Sequence, residues 1–440
     1  AGTASGGAWR STNAGVSWTE IDMTSQLSLG ISDVEFAPSD SKIVYMATGD
    51  DDGSLGSYAT LYSVGLLKST DGGVNFTETN LYYKLGDYKL ISRILVHPSN
   101  PDIVLACSKD GIFKTVDGGK TWKSVLSGIS IRDMEFKPSN PNIIYAATIS
   151  FGGSNAILKS IDNGETWAQT YFISGALRTD IEVTPAAPNN VYFVSCGQNR
   201  EFLTFQKSTD EANTWKELAT QSSVGNLLGW DNGGDLNKGQ GAYDLALAIN
   251  PTNENDIYLG GINIWHSTTG GNSWELYTHW YGNYSVPEIH ADQHKFKFDG
   301  SDLLYVANDG GLYRNFTGSN VWDELNDGMD ITQFYRLGVS QSSAFDVISG
   351  SQDNGTSRFD SQNWSKAYTG DGMECAIDPN DDNRVYISLP YGNIRKSTNG
   401  GKSFNSLLNT SILETTYKTN EFGGWVTPYV LEPNNPKNIY

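Results

Sequence analysis

Apolar and polar residues alternate along this chain in short runs, and the runs end at Pro, Gly, Asn or Asp. A period of two bounded by turn residues predicts short strands joined as antiparallel hairpins. Aligning the chain with itself brings one octet into register: Ser or Thr, any residue, Asp or Asn, any, Gly, any, any, and Trp or Phe. Seven segments carry it: STNAGVSW (11–18), STDGGVNF (69–76), TVDGGKTW (115–122), SIDNGETW (160–167), STDEANTW (208–215), STTGGNSW (267–274) and STNGGKSF (397–404). Two more, ending at Trp322 and Trp364, keep little beyond the aromatic. The octet reads as a tight hairpin. Its Asp or Asn accepts backbone N–H bonds, its Gly takes the positive φ that other residues resist, and its aromatic covers the turn. Asp71, Asp117, Asp162 and Asp210 are the expected turn aspartates, with a structural role.

A second repeat lies upstream of each octet. A strand ends at Pro, a polar turn follows, and a β-branched strand comes next, as in FAPSDSKIVY (36–45), VHPSNPDIVL (96–105), FKPSNPNIIY (136–145) and IDPNDDNRVY (377–386). Each unit thus supplies four antiparallel strands, and such units repeated every 40 to 50 residues predict an all-β fold, a β-propeller of four-stranded blades. About nine units follow: a half blade in 1–35, then 36–80, 81–126, 127–172, 173–220, 239–280, 288–326, 332–368 and 370–410. The segment 425–440 is the front half of another unit, which could close on the half blade at the start. One large ring and part of a tandem array both fit this phase.

With 30 Lys and Arg against 50 Asp and Glu, the formal charge is −20, which disfavours nucleic acid and anionic membranes as partners. No apolar run is long enough to insert directly into a membrane. Cys107, Cys196 and Cys375 each sit in an apolar strand-like run and read as small buried residues, not as a disulfide framework.

The octet, known as the Asp box or BNR repeat, makes the chain similar to sialidases, to xyloglucan-degrading glycoside hydrolases with two seven-bladed propellers, and to sortilin-type receptors. HADQH (290–294), NDGGLYRN (308–315), SQDNGTSRF (351–359) and GDGMECAIDP (370–379) resemble segments of secreted bacterial repeat proteins, a likeness that implies a secreted or cell-surface location. No Arg-Ile-Pro segment occurs, and Arg10 and Arg93 lie in strand-like runs, so sialidase chemistry is not expected. The xyloglucanases place a catalytic Asp in an Asp-Ile-Gly-Gly-Ala-Tyr-Arg context. Asp309, in Asp-Gly-Gly-Leu-Tyr-Arg, resembles it with one residue fewer, and Asp353 occupies the equivalent point of the next unit.

Glycoside hydrolysis needs one protonated and one ionised carboxyl, and Asp309, Asp353, Asp371 and Glu374 are the catalytic candidates. His290, Asp292 and His294 alternate along HADQH. In a strand they would share one face, as a ligand-binding polar cluster or as half of a metal site completed by Asp244 or Asp309. Structural calcium is the one cofactor expected, at Asp50, Asp51 and Asp52 or at Asp231 and Asp235, where carboxylates, amides and Gly cluster in loops. Trp230, Trp265, Trp280, Tyr281, Tyr284, Trp425 and Tyr429 lie mostly outside the octets and are candidates to stack on sugar rings. The leading expectation is a propeller that binds an extracellular glycan or protein. An endo-acting glycoside hydrolase with paired carboxylates and a structural or adhesive module of a longer surface protein are the alternatives.

Overall fold

The computed structural model describes residues 1–53, 61–150, 152–234, 238–344, 346–360, 362–407 and 423–440. Among them the chain forms eight four-stranded antiparallel sheets and two two-stranded ones. The helical elements among the described residues are one turn at Gln221–Val224 and two 3-10 turns. The fold is the all-β blade architecture that the repeat predicts. The chain divides into two compact units, Ala1–Met329 and Asp330–Tyr440.

In the first unit the four-stranded sheets span 31–82, 91–127, 131–174, 178–220, 246–278 and 293–324, and in each the strands pair in chain order. The octets join third to fourth strands. Ser69 Oγ donates to Asp71 Oδ1 at 2.7 Å, and the same oxygen accepts the N–H groups of Val74 and Asn75 at 3.1 and 3.0 Å. Asp117, Asp162 and Asp210 accept from Thr121, Thr166 and Thr214 in the same way. Where the octet departs from Asp, the acceptor persists: Asn13 Oδ1, Thr269 Oγ1 and Asn399 Oδ1 each take the N–H four residues on at 2.9 to 3.0 Å. An oxygen in that place gives the turn's backbone N–H groups an acceptor.

The core lies between sheets, not within one. In the sheet 178–220 the second and third strands are nearly all buried, and side chains such as Tyr192, Phe202 and Phe205 pack against Leu247, Ile249 and Leu259 of the next sheet. Gly271 of an octet meets the Phe205 ring where a Cβ would stand, 2.2 Å away, and its φ is +92°. The octet glycine therefore serves both the turn and the seam. The half blade, Trp9–Arg10 paired with Thr19–Glu20, bridges the sixth sheet to the first: Trp18 Nε1 donates to Leu325 O at 2.7 Å, and Arg10 Nε to Gly72 O at 2.8 Å. The half blade thus joins the last sheet of the first unit to its first. The strand Ile31–Ala37, expected in the half unit 1–35, belongs to the first full sheet.

First strands line the centre of this ring and carry charge. Arg93 lies among four carboxylates from its neighbours, at 2.6 Å from Glu135, 3.3 Å from Asp133, 3.5 Å from Glu35 and 3.7 Å from Asp33. Burial pushes the Glu35, Asp133 and Glu182 carboxyls above their ordinary range.

The second unit holds four-stranded sheets over 334–368 and 375–406 and the pair Leu431–Glu432 with Asn435–Ile439. The three cysteines are buried and free.

Candidate functional site

The first unit gathers its polar chemistry around one hairpin. Asp309 and Gly310 turn the chain between the strands Leu303–Asn308 and Gly311–Phe316. A Cβ on Gly310 would stand 2.3 Å from the His290 Cβ, so only glycine lets this turn seat against His290. The His290 carbonyl accepts from Gln293 Nε2 at 2.7 Å and Asn308 Nδ2 at 3.0 Å, which pins the same corner.

The Asp309 carboxylate is met by two side chains from outside its own turn. Tyr243 Oη donates to Oδ2 at 2.8 Å, and His294 Nε2 stands 2.9 Å from Oδ1. The other imidazole nitrogen, Nδ1, lies 3.0 Å from Asp52 Oδ2. The His294 ring also meets the Tyr243 ring edge-on, with centroids 4.8 Å apart. Burial opposes charge on His294, but Asp309 and Asp52 outweigh it and raise its pKa well above the ordinary value. The imidazole is therefore an imidazolium whose two N–H groups are both donated to carboxylates.

Asp52 is held in turn by Arg132 and by Arg178, whose Nη1 is 3.1 Å away. Burial alone would raise the Asp52 pKa; Arg132, Arg178 and His294 together drive it far below the carboxylate range. Arg178, with 1% of its side chain exposed, pairs with both Asp180 oxygens at 3.0 Å. It donates to the carbonyls of Ala242, Tyr243 and Leu245 at 3.3, 2.7 and 2.9 Å. One guanidinium thereby fixes the segment that presents Tyr243.

Asp292 and Asp244 complete the group. A carboxylate oxygen of Asp292 lies within 4.8 Å of one of Asp309, and Gln240 Nε2 donates to Asp292 at 2.8 Å. Asp244 is fully buried with its carboxyl against Asp292, and burial raises its pKa above the ordinary range.

Several expectations are corrected by this geometry. HADQH is not a strand with three residues on one face: Asp292 has φ +65°, the strand starts at Gln293, and His294 is the residue placed 2.9 Å from Asp309. Its two nitrogens are engaged by carboxylates, which leaves no lone pair for a metal. Asp51 and Asp52, expected as calcium ligands, share the Arg132 guanidinium as a hydrogen-bond donor. Asp50 instead accepts the Gly53 N–H at 2.8 Å, with burial pushing its pKa up to about 6. Asp231 accepts from Tyr284 Oη at 3.4 Å, and Asp235 lies outside the described residues.

Of the aromatic candidates, Trp265 is only 4% exposed and Tyr429 7%, so both are packing residues and not stacking platforms. Trp230, Trp280, Tyr281 and Tyr284 are 39 to 47% exposed and touch one another and His279 edge to face. They form an open aromatic patch on the first unit, with Trp280 Nε1 tied to Trp230 O at 3.3 Å.

In the second unit Asp353 sits at the same hairpin position as Asp309, between Asp346–Ser351 and Gly355–Asp360, with φ +56°. Gln352 Nε2 donates to its Oδ1 at 2.9 Å, and its N–H donates to Asp371 Oδ1 at 2.9 Å. Glu374 lies 3.5 Å from Arg336, and burial raises its pKa. Trp425, 42% exposed, donates to Tyr335 Oη at 3.0 Å and stands edge-on to Tyr391.

Sequence reasoning missed Tyr243, Arg132, Arg178 and the role of Asp52. One signal was available: Arg132 and Arg178 stand in first strands, ISIRDMEF and GALRTDIEV, that interleave acidic residues with apolar ones, where the repeat itself needs no charge.

No family model matches the chain. A curated protein, the xyloglucanase of Hypocrea jecorina (strain QM6a), is 24% identical over 326 residues, covering 62% of this chain and 36% of that protein. The chain thus spans about a third of the length of the curated relative it matches. Among solved structures, the GH74 enzyme of Niastella koreensis superposes with a TM-score of 0.59 at 16% identity, covering 99% of this chain and 79% of that one. The GH74 xyloglucanase from Xanthomonas campestris superposes at 0.39 and 14% identity, over 92% of this chain and 77% of that one. The first of these structural likenesses supports the propeller fold.

Proposed function

We propose that this chain is part of an extracellular endo-acting glycoside hydrolase of the xyloglucanase kind, and that Asp309 is its ionised catalytic carboxylate. The observation that carries the reading is the setting of Asp309. It stands at the tip of a blade hairpin, accepts hydrogen bonds from Tyr243 and the His294 imidazolium, and has a second carboxyl, Asp292, within 4.8 Å. Hydrolysis of a glycosidic bond needs two carboxyls whose surroundings favour opposite protonation states. Asp309 is surrounded by donors, whereas Asp292 abuts the buried Asp244, whose carboxyl burial keeps protonated to higher pH. The division assigns Asp309 the role of base or nucleophile and the Asp292–Asp244 pair the role of proton source. Likeness to a curated xyloglucanase over 326 residues supports the substrate class, a substituted β-glucan. The aromatic patch of Trp230, Trp280, Tyr281 and Tyr284 offers faces on which sugar rings stack.

The same geometry serves binding without turnover only if Asp309 is dispensable, and that decides the test. The chain is incubated with xyloglucan, with unsubstituted β-glucans and with a neutral control polysaccharide, and new reducing ends are counted. Cleavage that disappears in Asp309→Asn supports the assignment. Retarded migration of the chain in a xyloglucan gel without any cleavage would replace it by glycan binding alone. Asp353 in the second unit is examined with the same substitution, since it occupies the corresponding turn.

A further inference from the structure

We infer that His294 is a positioning residue that sits as a standing imidazolium between Asp52 and Asp309, and that it keeps Asp309 ionised and aimed. The inference rests on the proposed function for its catalytic meaning, but its physical content stands on the network itself. Each imidazole nitrogen faces one carboxylate, at 3.0 Å from Asp52 and 2.9 Å from Asp309. A neutral imidazole can donate through only one nitrogen, which would leave a lone pair facing a carboxylate on the other side. The doubly protonated ring is the form that satisfies both.

The charges around the ring add up in its favour. Asp52, Asp309, Asp244 and Asp50 face it as acids, while Arg132 and Arg178 reach it only through Asp52. Asp292 stands near Asp309 on the other side, and Tyr243 closes the edge of the ring. The two arginines hold Asp52 ionised, Asp52 and Asp309 hold the imidazole charged, and the imidazole holds Asp309 ionised. Arg178 also fixes Tyr243 through the carbonyls of residues 242, 243 and 245, so the second donor to Asp309 is anchored by the same guanidinium. Chain positions 52, 178, 243, 294 and 309 come from four different sheets or their connections, so the ring fold is what assembles the network. No covalent step is assigned to His294.

Two measurements on the full chain test this. In the first, histidine ring carbons are labelled and followed by NMR from pH 5 to 9; the chain has five histidines, and His294→Gln identifies the signal. The expected result is a ring that stays protonated through pH 8. Titration near the ordinary value of about 6.5 would overturn the inference whatever the activity. The second is the pH profile of kcat/KM on xyloglucan. His294→Gln keeps one donor but removes the charge, and it is expected to move the acid limb upward by about one unit or more. Asp52→Asn should move it the same way. A lowered kcat with an unshifted acid limb would assign His294 a merely structural part. If the chain cleaves no glucan while the His294 ring stays charged, the enzyme reading fails and the network stands.

Discussion

The arginines at the centre of the first unit show what a single residue controls. Arg93 stands among Asp33, Glu35, Asp133 and Glu135, whose side chains are largely withdrawn from solvent beside it. Removing one partner of a buried ionic group costs about 3–5 kcal/mol, because the charges left behind have neither solvent nor counterion. Arg93→Leu is therefore expected to lower unfolding free energy by that amount at pH 7 and by less at pH 5, where the freed carboxylates take up protons. Urea titrations at the two pH values check it; equal losses would contradict it. Gly310 acts on the site through shape alone. Gly310→Ala must displace His290, and with it the Asp309 hairpin, so kcat on xyloglucan should fall while far-UV circular dichroism stays that of the parent. Neither residue announces itself in the sequence: Arg93 is one charge in an apolar run, and Gly310 one glycine among 47.

At the scale of the blade the sequence is most legible, because the octet closes over eight consecutive residues and its hydrogen bonds are local. Ser, Asp and Gly specify one turn wherever they recur, so the turns at Asp71, Asp117, Asp162 and Asp210 could be read directly. The seam between blades could not, since Phe205, on the third strand of one sheet, and Gly271, in the octet of the next, stand 66 positions apart. A comparison of two glycines separates the local from the non-local part. Gly128 and Gly271 both have positive φ, but a Cβ on Gly128 would meet nothing within 4 Å. Gly128→Ala should cost about 1–2 kcal/mol from backbone strain alone. Gly271→Ala should cost distinctly more, because the Phe205 ring must also move. Denaturant midpoints of the two variants decide it, and equal costs would remove the packing role from the octet glycine.

Across the whole chain, long-range assembly sets both the pH behaviour and the site. Burial raises the carboxyls of Glu35 and Asp133 to about 7 and that of Asp50 to about 6. A raised carboxyl binds a proton more readily folded than unfolded, so its contribution to stability is present at low pH and is lost as pH climbs through the folded value. Stability should therefore decline from about pH 5 to about pH 7.5, and a urea midpoint that rises over this interval would contradict the burial of these groups. The candidate site was half legible for the same reason. Asp309 lies in a recognisable segment and His294 in a conspicuous one, but their link to Asp52, Arg178 and Tyr243 spans more than 250 positions and exists only once the ring closes. HADQH looked like an alternating strand because the left-handed φ at Asp292 leaves no trace in the pattern of residue types. The most direct test of the account is the rate at which Asp309→Asn releases reducing ends from xyloglucan, set beside the parent chain at the same pH. Loss of a positioned acid–base carboxylate predicts a fall of roughly 10²-fold or more with folding unchanged; a variant as active as the parent would show that Asp309 does not act in the chemistry.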